Sequence, residues 1–329
     1  MVVRLRPMGL LPSQVVPAGS KLPDREPASR STATSVEVEG RQLRLTNLTK
    51  VLYPATGFTK GQVIDYYARV APVLLPHLAS RPLTMVRLPD GVDGERFFEK
   101  RCPGHRPEWL RTVPLDAESA TPACAIDDLP GLVWVANLAA LELHTPQARA
   151  GDPLRPTAMV FDLDPGAPAD VRDCARVAIE LRDVLDQLGL HAVVKTSGSK
   201  GLHMSVGLRP SVDAEQTKAF ALALGRILES RDPQRVTVNM AREQRPGRVF
   251  VDWSQNDRHK TTVCAYSLRA TPRPQVSTPL SWDEVAAAID ARDASALQFE
   301  ADAVLARVDE LGDLYAGSLA ADQELPEIG

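Results

Sequence analysis

A chain of 329 residues, 44% apolar and 24% charged, has the composition of a globular protein and room for one large domain or two small ones. No eighteen apolar residues run together, which excludes a membrane-spanning helix, and the opening MVVRLRPMGLLPSQVV is a poor secretory signal because arginines and prolines interrupt it. The net charge of −4 is uneven: residues 1–60 hold nine Lys and Arg against four Asp and Glu, and residues 280–329 hold two against twelve.

That basic front and acidic back suit contact with a polyanion on one side, although clustering on solvated surface gives the same pattern. The four cysteines, Cys102, Cys124, Cys174 and Cys264, lie far apart with no Cys-x-x-Cys pair. No disulfide framework is expected, which points to a reducing cytoplasm, with no membrane partner. Residues 1–35 are rich in Pro, Ser, Thr and Arg without an apolar period, so a disordered N-terminal extension is expected.

Order begins with VEVEGRQLRLTN (36–47), where Val36, Val38, Leu43 and Leu45 alternate with polar residues as in a strand. Thr59-x-x-Gln62 then has capping-box spacing, and Val63, Tyr67, Val70, Ala71 and Leu74 follow at helical spacing, predicting a helix over about 60–78. Further on, AMVFDLD (158–164) reads as a strand. Residues 169–189 read as an amphipathic helix with the stripe Val171, Cys174, Ala178, Leu181, Leu185 and Leu188, ended by Gly189. HAVVKTS (191–197), LHMSVGL (202–208) and RVFVDWS (248–254) are strands, with a helix over about 213–230 between the last two. After Pro279 an acidic, Ala-rich helical segment runs on; there is no internal repeat. The pattern is α+β, with mixed or antiparallel sheets flanked by helices rather than a doubly wound parallel sheet.

In FDLDPG (161–166), residues two apart on a strand share a face, so Asp162 and Asp164 project together while Phe161 and Leu163 project oppositely. Paired carboxylates repel unless a cation or proton intervenes. Hard oxygen donors near a strand end suit Mg²⁺ or Mn²⁺, and a solvated strand end is the plain alternative. Asp252 closes a second apolar strand, RVFVDWSQN, and could be a cap residue or the third carboxylate of a two-metal site. Between them, KTSGSKGLHM (195–204) offers Ser197, Gly198, Ser199, Lys200, Gly201 and His203. Its small residues would let backbone N–H groups approach an anion, but the Walker spacing is absent and an ordinary hairpin turn fits too. Cys102 and His105 in RCPGH have a zinc-like spacing but no second pair nearby.

TNLTKVLYPATGFTKGQVIDYYARVAPVLLPHL, FFEKRCP, ALELHTPQ, MVFDLDPG, KTSGSKGLHM and VFVDWSQNDRHKTTVCAYSLR, in this order and spacing, together resemble the polymerase module of bacterial ligase D, a member of the archaeo-eukaryotic primase superfamily. The resemblance covers about residues 40–315. It implies a primase-polymerase fold with an RRM-like catalytic core over 36–315, after the extension of 1–35 and before a flexible acidic tail of 316–329. It also implies nucleotide addition at gaps and broken ends, with ribonucleotides preferred and two Mn²⁺ or Mg²⁺ ions used.

Carried over on matching motifs, Asp162, Asp164 and Asp252 are the metal-binding catalytic triad. His144, Ser197, Lys200 and Arg269 hold the incoming nucleotide, with His203 and Lys260 as further neighbours of it. Phe97 and Phe98 stack on template bases, and Lys50 and Lys60 grip a 5′-phosphate across the gap. From the residues alone a structural His144 and solvated Lys50 and Lys60 are the favoured readings, with one ring of the phenylalanine pair buried; Lys60 does stand at a helix start, where anions are favoured. The ligase and nuclease modules have no counterpart in the sequence, so a stand-alone polymerase is expected, working with a separate ligase and a Ku-like end binder near the nucleoid. Two alternatives are a primase that starts chains de novo and a non-catalytic end-binding module that recruits a ligase; an intact acidic triad has no use in the latter.

Overall fold

The computed structural model describes residues 33–115, 121–291, 293–320 and 322–326; most of the expected N-terminal extension lies outside them. Among the described residues the α-helices are α1 (Lys60–Leu78), α2 (Leu129–Asn137), α3 (Val171–Gln187), α4 (Ala214–Arg231), α5 (Trp282–Ile289) and α6 (Ala301–Leu311). The alternating segment near the start is a hairpin rather than one strand, Ala33–Val38 pairing antiparallel with Arg41–Thr46. Glu39 and Gly40 turn between them at φ 48° and 78°, the positive values a two-residue turn between twisted strands requires.

Helix α1 begins as expected: Thr59 accepts from the Gln62 N–H while the Gln62 side chain accepts from the Thr59 N–H. Helix α3 is capped the same way by Asp170 and Asp173. It ends one residue before Leu188, which is 41% exposed rather than part of the buried stripe. Gly189, at φ 72°, turns the chain there.

A six-stranded sheet runs in the order Val236–Thr237, Val249–Asp252, Ala158–Pro165, Leu202–Gly207, Ala192–Thr196, Pro279–Leu280, antiparallel throughout except for its short first pair. Met159, Phe161, Leu163, Val249 and Val251 are buried beneath α3, α4 and α5. The pleat therefore sends Asp162, Asp164 and Asp252 to the opposite face. A four-stranded antiparallel sheet of Thr262–Val263, Ala140–Thr145, Thr84–Arg87 and Phe97–Glu99 packs with α1, α2 and α6 in a second core. The α+β class with mixed sheets is as the sequence indicates, and the cleft between the two sheets contains the acidic face.

Two expectations need correction. Cys102 and Cys124 form a disulfide across 22 residues. The Cys102 N–H donates to the Pro122 carbonyl (2.8 Å) and draws the loop after Phe97–Glu99 onto the strand Pro122–Cys124. No local spacing announces such a pair, so the reducing setting read from the cysteines loses its support, and Cys102 has no thiolate to offer zinc. Beyond 315, where a flexible tail was expected, Ala316–Leu319 forms a 3-10 turn, and the Gln323 side chain donates to the carbonyls of His191 (3.1 Å) and Gly207 (3.0 Å). Among the described residues no helix is long and apolar enough to cross a membrane.

Candidate active site

The strand register sets Asp162 directly opposite Asp252 on one side and His203 on the other, with Asp164 opposite Phe250. The three carboxylates thus share one wall of a cleft of about 280 Å³, or border it. Each already has a basic or polar neighbour. Lys200 Nζ lies 3.1 Å and Arg245 Nη1 3.6 Å from the two oxygens of Asp164, and the Arg245 guanidinium stacks 3.8 Å above the Phe250 ring. Asp252 accepts from the Ser254 N–H and hydroxyl and from Gln255 Nε2, with Lys260 Nζ 4.0 Å away. Burial would raise the Asp162 carboxyl, but His203, Lys195 and Arg269 together hold it below its ordinary value.

His203 stands between Asp162 Oδ1 (3.3 Å from Nε2) and Lys195 Nζ (2.9 Å from Nδ1). Both ring nitrogens face partners within the protein, so neither is free to meet a ligand directly. Lys195, 2% exposed, also donates to Ser277 Oγ at 2.7 Å. Burial, with the Arg269 charge adding to it, pulls the Lys195 amine down to about 7.

The opposite wall comes from Ala140–Thr145, where Glu142 and His144 share a face. His144 Nε2–H donates to Glu142 Oε2 (2.8 Å), and Glu142 Oε1 accepts from Arg269 Nε (3.2 Å) and the Ala270 N–H (2.9 Å). Burial opposes the Glu142 charge, yet the bond from His144 and the Arg269 guanidinium hold its carboxyl at about 2. His144 is pushed down by its own burial despite Glu142, so it stands neutral with Nδ1 left as an acceptor. Arg269 Nη1 donates to the Ser197 carbonyl, which ties the two walls together.

In the loop after Ala192–Thr196, the Ser197 hydroxyl accepts from the N–H groups of Ser199 (3.2 Å) and Gly201 (3.1 Å), and Thr196 Oγ1 accepts from Gly198 N–H (3.2 Å). The N–H groups of Gly198, Ser199 and Gly201 are therefore spent inside the loop rather than free to cradle an anion, and the loop brings the Ser197 and Ser199 hydroxyls and the Lys200 ammonium to the cleft. Gly198 (φ 68°) is obligatory: a Cβ there would lie 2.5 Å from Arg269 Cγ and 2.9 Å from Ser277 N.

Phe97 and Phe98, on an edge strand, are 43% and 57% exposed, so neither ring is in the core. The Phe98 ring centroid is 6.2 Å from that of His144, which places an open stacking surface beside the cleft. Lys50 and Lys60 lie apart from the cleft, across the start of α1. Lys50 pairs with Asp90 (2.6 Å), and Lys60, whose Nζ donates to Thr46 Oγ1 (3.1 Å), is lowered to about 8 by burial and by the Lys50 and Arg87 charges. The first N–H groups of α1 are satisfied by the Lys50 and Leu48 carbonyls and Thr59, so the positive charge at this end of the helix is that of the two lysine side chains.

The structure thus gathers His144, Asp162, Asp164, Ser197, Lys200, His203 and Arg269 around one cleft, with Asp252 and Lys260 beside it. Sequence reasoning missed Glu142, Lys195 and Arg245. The alternation in ELH put Glu142 on the His144 face, but nothing local marked it as buried. Among the described residues no three acidic, His or Cys side chains form a ready-made metal cage; what the face offers is hard carboxylate oxygen, presently neutralised by Lys200, Arg245 and Lys260.

Comparison with known proteins bears directly on this arrangement. Residues 59–315 match the family described as LigD, primase-polymerase domain. The chain is 43% identical over 278 residues to the multifunctional non-homologous end joining protein LigD of Mycolicibacterium smegmatis, covering 84% of this chain and 36% of that protein. It is 30% identical over 272 residues to the bifunctional LigD of Bacillus subtilis, covering 82% and 43%. The chain therefore spans well under half the length of these relatives. The structure is also similar to the polymerase domain of Mycobacterium tuberculosis ligase D in complex with DNA, with TM-score 0.78, 41% identity, and coverage of 84% of this chain and 98% of that one. Matched across most of its length in sequence and in fold, the chain belongs to the LigD primase-polymerase family.

Proposed function

We propose that this chain is a template-directed nucleotidyltransferase that fills short gaps and extends broken DNA ends, with a preference for ribonucleotides, in end joining or gap repair. The observation that carries the reading is the register setting Asp252 opposite Asp162, on a face shared with Asp164 and overhung by Ser197, Lys200 and Arg269. The relatives named as non-homologous end joining proteins, and the DNA-bound polymerase domain of similar fold, support it.

A pair of divalent ions, Mn²⁺ or Mg²⁺, fits the chemistry of the acidic face, and Asp162, Asp164 and Asp252 would hold them. When bound, such ions neutralise charge on the attacking and leaving oxygens of phosphoryl transfer. The remaining work falls to the chain's own groups. Arg269, braced by Glu142, presents its unused Nη2 to a triphosphate, and the Ser197 hydroxyl donates beside it. Lys200 and Lys260 exchange their carboxylate partners for phosphate oxygens. His144 Nδ1, as an acceptor, suits a hydroxyl of the incoming sugar. Phe97 and Phe98 stack on template bases, while Lys50 and Lys60 hold the downstream 5′-phosphate. Sealing the product is left to a ligase, with a Ku-like end binder as the partner that delivers DNA.

The test is extension of a labelled primer across a short gap bearing a downstream 5′-phosphate, with ribo- or deoxyribonucleotides, with and without Mn²⁺. Metal-dependent extension favouring ribonucleotides is expected. Absence of extension on any template under all of these conditions would overturn the reading.

A further inference from the structure

Lys195 is buried without a carboxylate partner. Its amine touches His203 Nδ1 (2.9 Å) and Ser277 Oγ (2.7 Å), and the Tyr315 ring centroid is 6.0 Å away. A lysine in such a place costs more than an apolar side chain of the same shape, because its charge loses water and gains no counter-ion. One of its contacts leads to the acidic face: from Lys195 to His203, and from His203 Nε2 to Asp162 Oδ1 (3.3 Å).

The direction of these bonds is fixed at the far end. Ser277 Oγ–H donates to the Thr196 carbonyl at 2.8 Å, so its lone pairs face Lys195 and the amine must be the donor. In its ammonium form Lys195 has three N–H donors and no lone pair, so it must donate to its second partner, His203 Nδ1, as well. A nitrogen that accepts carries no proton, which leaves the imidazole proton on Nε2, against Asp162.

We infer that Lys195 is a positioning residue: it locks His203 in the Nε2–H tautomer, whose proton pins one oxygen of Asp162 and leaves the other for a metal ion. The inference rests on the reading of Asp162 as a metal ligand. It assigns to Lys195 no contact with nucleotide or DNA.

The experiment uses the whole chain, labelled with ¹⁵N-histidine and free of metal, with the His203 signals identified by their loss in His203→Asn. The expected spectrum has a protonated Nε2 and an unprotonated Nδ1. Lys195→Met, which keeps the length of the apolar stem and removes the donor, should populate the other tautomer and weaken Mn²⁺ binding, read by electron paramagnetic resonance of free Mn²⁺, by about tenfold. Lys195→Gln, which restores an N–H donor, should recover both the tautomer and the affinity, a rescue that a role in packing alone would not give. An imidazolium or Nδ1–H ring in the wild-type protein would overturn the inference, and so would a Met variant with unchanged tautomer and affinity. If Lys195→Met fails to fold, the wild-type spectrum and the Gln variant decide. A wild-type chain that binds no Mn²⁺ would instead sink the metal role of Asp162, and the tautomer result would still stand by itself.

Discussion

Glu142 braces Arg269: its Oε1 accepts from the guanidinium Nε at 3.2 Å, while its other oxygen takes the proton of His144. One buried carboxylate on the smaller sheet thus orients two groups that line the cleft and, through Arg269 and the Ser197 carbonyl, joins that wall to the larger sheet.

Replacing Glu142 by Gln preserves its volume and removes its charge. The amide then has one acceptor oxygen to share between His144 and Arg269, and a charge-assisted bond is worth roughly 1.5–3 kcal/mol. The expected result is a nucleotide KM at least tenfold higher with a smaller change in kcat. An unchanged KM would show that Arg269 keeps its place without Glu142.

Gly198→Ala is expected to act on the same group from the other side. A left-handed φ costs a non-glycine residue about 1–2 kcal/mol, and the new Cβ would displace Arg269 Cγ. Thermal unfolding should show the loss of stability, and nucleotide titration a parallel loss of affinity. Ordinary affinity in a well-folded Gly198→Ala protein would separate the loop from the nucleotide site.

How much of this was legible in advance divides along the range of the interaction. The aspartate pair was visible because a strand repeats every two residues, and α1 because Thr59 and Gln62 form a local signal. The hairpin turn at Glu39-Gly40 was missed because Val36, Val38, Leu43 and Leu45 keep an alternating look straight through it. Glu142 and Lys195 could not be recognised, since their meaning lies in burial and in partners more than eighty residues away, Arg269 and Ser277. The pairing of Cys102 with Cys124, only 22 residues apart, was hidden because no local spacing announces it.

The Cys102–Cys124 bridge closes a loop of 22 residues in sequence separation, for which chain entropy suggests about 3 kcal/mol of stabilisation. Replacing both cysteines by Ser should lower the denaturation midpoint accordingly. Nucleotide binding at low temperature should survive, since neither cysteine lines the cleft. A midpoint unaffected by the replacement would mean that the bridge does not persist in solution.

On the role proposed for Lys60, recognition of a downstream 5′-phosphate should depend on pH. Its amine is lowered from 10.5 to about 8, so the cation that attracts phosphate is depleted above that value in the free protein. The preference for a phosphorylated over a hydroxyl-ended gap should shrink as pH rises through this range, and salt should weaken it further. Lys60→Arg should hold the preference at high pH, and Lys50→Ala with Lys60→Ala should abolish it while sparing an open primer–template. Folding responds with the opposite sign: between about 8 and 10.5 the unfolded chain binds the extra proton, so this group makes the fold more stable as pH rises. A phosphate preference independent of pH would place the pocket elsewhere.

The central claim is that the acidic face of Asp162, Asp164 and Asp252 performs nucleotidyl transfer. Single-turnover gap filling in Mn²⁺ by Asp162→Asn, Asp164→Asn and Asp252→Asn, each with its unfolding curve recorded, tests it most directly. Each variant should keep a cooperative transition near that of the parent, because amide and carboxylate differ little in volume, and should lose nucleotide addition by at least about a thousandfold, the loss of several kcal/mol of transition-state stabilisation expected when a metal ligand is removed. A folded variant that still fills the gap at near the parent rate would contradict the account.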